Sequence, residues 1–190
     1  YMNETYLDTI FDRVIHSKMR KDKDYKYSDL GYYILKEIIE NQEDASLKDM
    51  VQDRIYEDLG ANFTSYHPIE KFDINTIVPT ENDTYFRNQL LRGYVHDPGA
   101  AMQDGVGGHA GLFSNANDLA KLMQMYLNGG EYAGKRYIEE KTIEEFTSCQ
   151  YRRKENRRGI GFDFERISIG SDLGKIILKN NVLKLCWRFA

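Results

Sequence analysis

YKYSDLGYYILKEIIE, residues 25–40, is the stretch on which the fold reading turns. A charged, loop-like segment, Arg20 to Lys26, ends at the aromatic pair Tyr25 and Tyr27. Ser28 follows, and its hydroxyl suits a helix N-cap, accepting from an orphan N–H of the first turn. Leu30, Ile34, Leu35, Ile38 and Ile39 then recur at helical spacing, which predicts a buried amphipathic helix to about Glu40. Tyr27 therefore sits in the turn feeding that helix. The positive end of the helix dipole lies beside it and favours a phenolate or an anionic substrate group. The plainer alternative is a tyrosine packed at a helix entry with no chemistry.

Outward on the N-terminal side, Tyr6, Leu7, Ile10, Phe11, Val14 and Ile15 predict a helix over Asn3 to Met19. His16 reads as a solvated helix end. On the C-terminal side, Asn41 to Ala45 is a polar connection. Ser46, with Asp49 three residues on, caps a third helix whose stripe is Leu47, Met50, Val51, Ile55 and Leu59. Gly60 is placed to stop it in the left-handed conformation. Ala61 to Gly111 shows little periodicity. Short strands are expected at Thr76–Thr80 and Gly93–Val95, with Pro68, Pro79 and Pro98 as punctuation. So long an irregular stretch is usually either functional or disordered. Its aromatics, with Arg87, Arg92, His96 and Asp97, favour an ordered segment near a site.

Composition excludes several classes. The chain has 190 residues, 41% hydrophobic and 29% charged, as a soluble folded domain does. A net charge of −4 gives no broad electrostatic case for nucleic acid. Fourteen tyrosines and nine phenylalanines supply core area and are suited to lining sugar or peptide sites. Cys149 and Cys186 make no metal-like pair. No apolar run reaches the roughly 20 residues of a membrane span, and the start is not a signal peptide. Tyr1 is not an initiator, so a fragment or processed product is expected.

Glycines 105, 107, 108 and 111 surround His109 in DGVGGHAGLFS. That density permits positive φ and close backbone approach. The spacing does not fit a P-loop, and no lysine follows where one would be required. Asn115, with Asp118 three residues on, then caps a helix bearing Leu119, Leu122, Met123, Tyr126 and Leu127, and Asn128-Gly129-Gly130 stops it. Glu131 to Gln150 predicts a tight turn and a helix with Ile143 and Phe146 inward. Tyr151–Arg158 is a solvated basic loop, and Gly159–Phe162 suits a strand start.

Tyr27-Ser28-Asp29-Leu30-Gly31-Tyr32 and its Ile/Leu-rich helix resemble the Tyr-x-Asn region of the serine beta-lactamase-like superfamily, which includes class C beta-lactamases, DD-peptidases and related esterases. GGHAGLFSNANDLAKLMQMYLNGG is similar to that family's Gly-Leu-x-Ser-Thr-Ala-x-Asp-Leu-Ala stretch and is the longest match. VPTENDTYFRNQLLRGYVHDPGAAM adds a likeness to domains of gut-type bacteria, some fused behind glycoside hydrolases of family three. The resemblance spans about residues 1–163. It implies an α+β fold, with a helical subdomain packed on an antiparallel sheet. It makes Tyr27 the catalytic acid–base group and Asp29, Gly108 and His109 substrate-binding positions, with no cofactor. It also implies a periplasmic or extracellular setting and a small-molecule or cell-wall peptide or glycan partner. Asp29 departs from the family's asparagine: an ionised aspartate accepts hydrogen bonds but donates none.

The other two catalytic motifs are missing. A Ser-x-x-Lys nucleophile places the lysine amine one helical turn from the serine hydroxyl. Three places after Ser17, Ser28, Ser46, Ser65, Ser114, Ser148, Ser168 and Ser171 stand Arg, Gly, Asp, Pro, Asn, Tyr, Ser and Gly. In the family this motif lies upstream of the tyrosine motif. Lys141-Thr142-Ile143 fails as the third motif, Lys/His-Thr-Gly. His109-Ala110-Gly111 precedes the Asp118 helix, so it reads as a separate loop. After Asp163 the resemblance ends, and residues 164–190 form a divergent tail in which Ile176–Leu185 could pair as a strand.

Three readings stay open. The chain is part of a serine hydrolase, expected to be inactive by itself; or a non-catalytic module binding cell-wall peptide or glycan; or a metal-dependent hydrolase using His96, Asp97 and His109. A loop-anchoring hydrogen bond is the simpler role for His96-Asp97 and is preferred.

Overall fold

The computed structural model describes residues 5–22, 26–150 and 159–161. The chain divides into two compact units, Tyr1–Asp118 and Leu119–Ala190. Helices and two small antiparallel sheets make up both, the α+β character expected.

The first unit opens with α1 (Thr5–Ile15), which ends before the expected Met19; Asn3 and Glu4 lie outside the described residues. A turn with Ser17 N–H on Val14 O closes it. His16 is exposed and bonds back to Asp12 O, a solvated helix end as expected. α2 (Leu30–Glu43) starts one residue later than a Ser28 cap implies. The N-cap is Asp29, whose side chain makes no cap bond. Ser28 Oγ still accepts from Leu30 N–H at 3.3 Å, so its hydroxyl serves the helix start from one position further out. The expected burial of this helix is not found. None of its residues is buried, and Leu30, Leu35, Ile38 and Ile39 are exposed. Periodicity specifies which face is apolar; it cannot specify what covers it. α3 (Leu47–Val51) has the predicted Ser46 cap, with Asp49 N–H donating to Ser46 Oγ at 3.1 Å. It continues as a π-helical turn, Gln52–Tyr56, and Gly60 takes φ +67° as its stop.

The strands fall elsewhere than expected. β1 (Pro79–Asp83) pairs antiparallel with β2 (Gln89–Arg92), Glu81 opposite Leu91 and Asp83 opposite Gln89. Residues 74–76 instead form a 3₁₀ turn, because Asp73 caps it through Asn75 N–H. Gly93 at φ +73° ends β2 where a strand was expected to begin. The hairpin loop is tied by Asp83, which accepts from the N–H groups of Tyr85, Phe86 and Arg87. These bonds, led by that from Phe86 N–H, hold its carboxyl well below the usual carboxylate range. Arg87 pairs with Asp83 at 3.0 Å and donates to Val95 O and His96 O, anchoring the segment before α4 (Pro98–Ala101).

The core lies in this irregular part. Ala61, Leu91, Val95, Ala100 and Val106 are buried there, with Leu59 and Met50 from the α3 region. Asp118 is buried too, at the first turn of α5 (Ala116–Leu127). The cap is as read from sequence: Asp118 N–H donates to Asn115 Oδ1 at 2.9 Å. The Asp118 carboxylate reaches instead to Phe63 N–H at 2.7 Å, and Ser65 and Phe113 form an antiparallel bridge nearby.

In the second unit, α5 stops at Gly129 and Gly130, both at positive φ. β3 (Glu131–Tyr132) and β4 (Lys135–Arg136) form a hairpin through Ala133 and Gly134, also both at positive φ. Gly130 must be glycine, since a Cβ there would lie 2.0 Å from Ile138 O. In α6 (Glu140–Thr147) Ile143 is buried, but Phe146 is exposed, contrary to expectation. Three positions on from Ile143, it falls at the edge of the inward stripe. Its carbonyl accepts from Ile160 N–H. Ile160 and Gly161 are bent, and none of the described residues 159–161 is in a strand. The basic run 151–158, Phe162 and the 164–190 tail, where a strand was expected at Ile176–Leu185, lie outside the described residues.

Among the described residues, no helix is long and apolar enough to cross a membrane.

Candidate functional site

The entry of α2 and the glycine loop 104–111 meet in the first unit. Asp29 O accepts from Tyr32 N–H at 2.9 Å and from Tyr33 N–H at 3.4 Å, closing the first turn of α2. Tyr33 projects from that turn and stacks on His109, ring centroids 4.9 Å apart. His109 Nε2 meets Asp97 Oδ1 at 3.0 Å. Asp97 is also the N-cap of α4, accepting from Ala100 N–H at 2.7 Å. A carboxylate only accepts, so Nε2 carries the proton and Nδ1 is the ring's other face. His109 is almost wholly buried, its side chain 5% exposed.

Two acceptor-capable atoms here are buried with no hydrogen-bond partner among the described residues: Asp29 Oδ1 and His109 Nδ1. An unmade bond at a buried polar atom is costly, which makes such atoms informative. Charge accumulates around Tyr33. Burial first, then the carboxylates of Asp97 and Asp29, push its phenol above the ordinary value. Burial also pushes Asp97 up. The bonds from Ala100 N–H and His109, with the charges of His109 and His96, outweigh that and hold its carboxyl below the ordinary value.

The glycine loop is rigid for identifiable reasons. Gly111 has φ +114°, and a Cβ there would lie 2.0 Å from Gly105 O. Tyr66 OH donates to Gly107 O at 3.0 Å. Burial, with Glu40's charge adding, pushes the Tyr66 phenol up to about 12. Gly108 is exposed, and a Cβ there would press on Tyr32 O at 2.8 Å.

Of the site residues read from sequence, Asp29, Gly108 and His109 lie around the α2 entry. Tyr27 stands in the turn before it, 63% exposed. The ring that meets His109 is that of Tyr33. Asp97 was noted in the sequence for a loop-anchoring bond. It makes one, with His109 twelve residues on as the partner. Tyr33 and Tyr66 were missed, because in a chain with 14 tyrosines neither has a distinguishing neighbour. Among the described residues, no group of three His, Cys, Asp or Glu side chains gathers as a metal ion would need.

Known proteins match this chain in sequence and in fold. Relatives from Salmonella paratyphi B and Salmonella newport carry the name putative D-alanyl-D-alanine carboxypeptidase. Each is 39% identical over 133 residues, covering 64% of this chain and 31% of the relative. The chain thus spans about a third of the length of these relatives. The crystal structure of D-amino acid amidase from Ochrobactrum anthropi SV3 complexed with L-phenylalanine superposes with a TM-score of 0.54 at 18% identity. It covers 75% of this chain and 38% of the amidase, a likeness of fold. The family model described as Beta-lactamase matches residues 6–167, most of the sequence, and the chain belongs to that family of serine beta-lactamase-like hydrolases.

Proposed function

We propose that this chain carries the acid–base half of a serine hydrolase site, with Tyr27 as the group that moves the proton. The observation that carries the reading is the buried, unpaired Oδ1 of Asp29, two residues beyond Tyr27. A carboxylate oxygen there calls for a donor, and an ammonium or substrate N–H supplies one. In the reaction, a serine hydroxyl from a Ser-x-x-Lys helix outside these 190 residues adds to the substrate carbonyl. Its proton passes toward Tyr27 and then to the departing amine or alcohol, leaving an acyl-serine that water hydrolyses. The relatives' name favours a D-alanyl-D-alanine peptide as substrate; a beta-lactam or an ester offers the same acyl chemistry. That substrate class fits a periplasmic or extracellular setting, and fusion to a glycoside hydrolase fits a cell-wall role. Asp29, Gly108 and His109 line the substrate side.

The eight serines, none with a lysine three places on, favour a second reading, a module that binds cell-wall peptide or glycan without turning it over. Expressed together with its flanking coding sequence, the protein is expected to take a fluorophosphonate or fluorescent penicillin label. Tyr27→Phe is expected to slow labelling about 10²- to 10⁴-fold, the usual size of acid–base assistance. Flanking sequence that encodes Ser-x-x-Lys but yields an unlabelled protein overturns the hydrolase reading. Titration of a D-alanyl-D-alanine peptide onto the chain, with binding but no turnover, supports the module.

A further inference from the structure

We propose that Tyr33, His109 and Asp97 form a clasp that positions the Tyr27–Ser28–Asp29 turn, with His109 as its central positioning residue. This rests on the reading of Tyr27 as the proton-moving group.

The first turn of α2 is held on two sides by contacts that leave little freedom. On one side the Tyr33 hydroxyl lies against Gly99 in α4, so closely that any Cβ at Gly99 would overlap it. On the other, the Tyr33 ring stacks on His109 and Gly108 packs against Tyr32 O. Asp97 links the two sides. Its Oδ1 receives both the α4 cap bond and the His109 Nε2–H. Arg87 anchors the residues just before Asp97 through Val95 O and His96 O, so the clasp is braced by the β1–β2 hairpin.

The turn that needs positioning is joined directly to this clamp. Tyr32 and Tyr33 N–H both bond to Asp29 O, and Leu30 N–H bonds to Ser28 Oγ. Fixing Tyr32 and Tyr33 therefore fixes Asp29 and Ser28, and Tyr27 is the next residue. Tyr27 is itself 63% exposed, and that covalent and hydrogen-bonded continuity is one support of its placement. A catalytic group misplaced by about 1 Å loses on the order of 10²-fold in rate, so a rigid support behind an exposed phenol matters.

The test uses amide hydrogen exchange and a fluorotyrosine placed at position 27, both read on the chain itself. His109→Ala is expected to speed exchange at Tyr32 and Tyr33 at least tenfold and to shift or broaden the residue-27 fluorine signal. The interior α5 amides of Leu122 and Met125 should keep their rates. His109→Gln, which retains an N–H for Asp97, is expected to recover part of the protection. Tyr33→Phe, which keeps the ring stack on His109 but loses the hydroxyl against Gly99, should lose part of the protection, and Tyr33→Leu should behave as His109→Ala. Unchanged exchange and an unchanged fluorine signal in His109→Ala overturn the clasp. So does an equal loss of protection throughout α5, which would mark general unfolding. Neither outcome touches the probe-labelling result for Tyr27→Phe. Conversely, an intact exchange pattern of losses with no effect of Tyr27→Phe on labelling leaves the clasp standing and removes the hydrolase reading.

Discussion

Two regions of the first unit invert the usual relation between regularity and burial. α1 and α2 are regular, amphipathic helices, yet neither buries a residue among those described. Residues 61–118 are mostly turns, bends and short strands, yet they contain Leu91, Ala100, Asp118, Ala61 and most of the other buried side chains. Irregular backbone can be buried only if its polar groups find partners. Here side chains supply them. Asp83 takes three N–H groups of the hairpin loop, Arg87 fills two carbonyls, Asp118 takes Phe63 N–H, and Tyr66 fills Gly107 O. A helix needs no such help, since its bonds are internal, and so it can stand with an open apolar face.

The contrast breaks first at the core. Leu91 is 1% exposed, and Leu91→Ala is expected to lower unfolding free energy by about 2–5 kcal/mol, the range for a buried leucine truncation. Urea unfolding followed by circular dichroism measures it. A loss below about 1 kcal/mol would mean that residues 61–118 are not the organising core. Next comes the polar part of that core. Asp118→Ala leaves Phe63 N–H without its acceptor and is expected to cost about 1–3 kcal/mol. Exchange at the Phe63 amide should accelerate in step with the stability loss. A fast Phe63 amide in a fully stable variant would show the bond to be replaceable by solvent.

The helices were legible in sequence because each carries its own signals: the apolar period of α2, the Ser46 cap of α3, the Asn115 cap and glycine stop of α5. β1 and β2 were displaced from their expected places because their limits are set by side chains acting at a distance. Asp83 closes the hairpin loop, and Asp73 turns residues 74–76 into a 3₁₀ segment. Neither effect has a period. The site was legible in the same uneven way. Asp29, Gly108 and His109 sit in motifs that can be quoted as runs. Tyr33 is in contact with His109 only because a helix and a loop 76 residues later fold together, and no local pattern records that.

A smaller effect sharpens the polar half of the contrast through pH. The Tyr66 phenol is raised to about 12 in the folded chain, against roughly 10 when unfolded. The folded state therefore binds more protons than the unfolded state between those values, so stability falls as pH rises there. The contribution is fully present below pH 10 and is lost as pH climbs through 12. Between pH 10 and 11 the loss from this one group is expected to be about 1 kcal/mol. Tyr66→Phe should remove that share of the alkaline slope, read as the difference in urea midpoints at pH 9, 10 and 11. Parallel slopes in the two proteins would mean that Tyr66 titrates as an exposed phenol and does not seal the Gly107 carbonyl.

The smallest effect belongs to the open helix face. Ile38 is 46% exposed on α2, so Ile38→Ala removes little buried area and gains a little helix propensity. In this chain the change is expected to stay within about 0.5 kcal/mol of zero, as for an ordinary surface substitution. Set beside Leu91→Ala, a near-zero value would confirm that an apolar stripe on a regular helix contributes nothing until something packs on it. A loss of about 2 kcal/mol or more, the cost of truncating a buried isoleucine, would instead show that the α2 face is covered in solution. In that case the difference between the two regions would lie in what covers α2 rather than in how the helix folds.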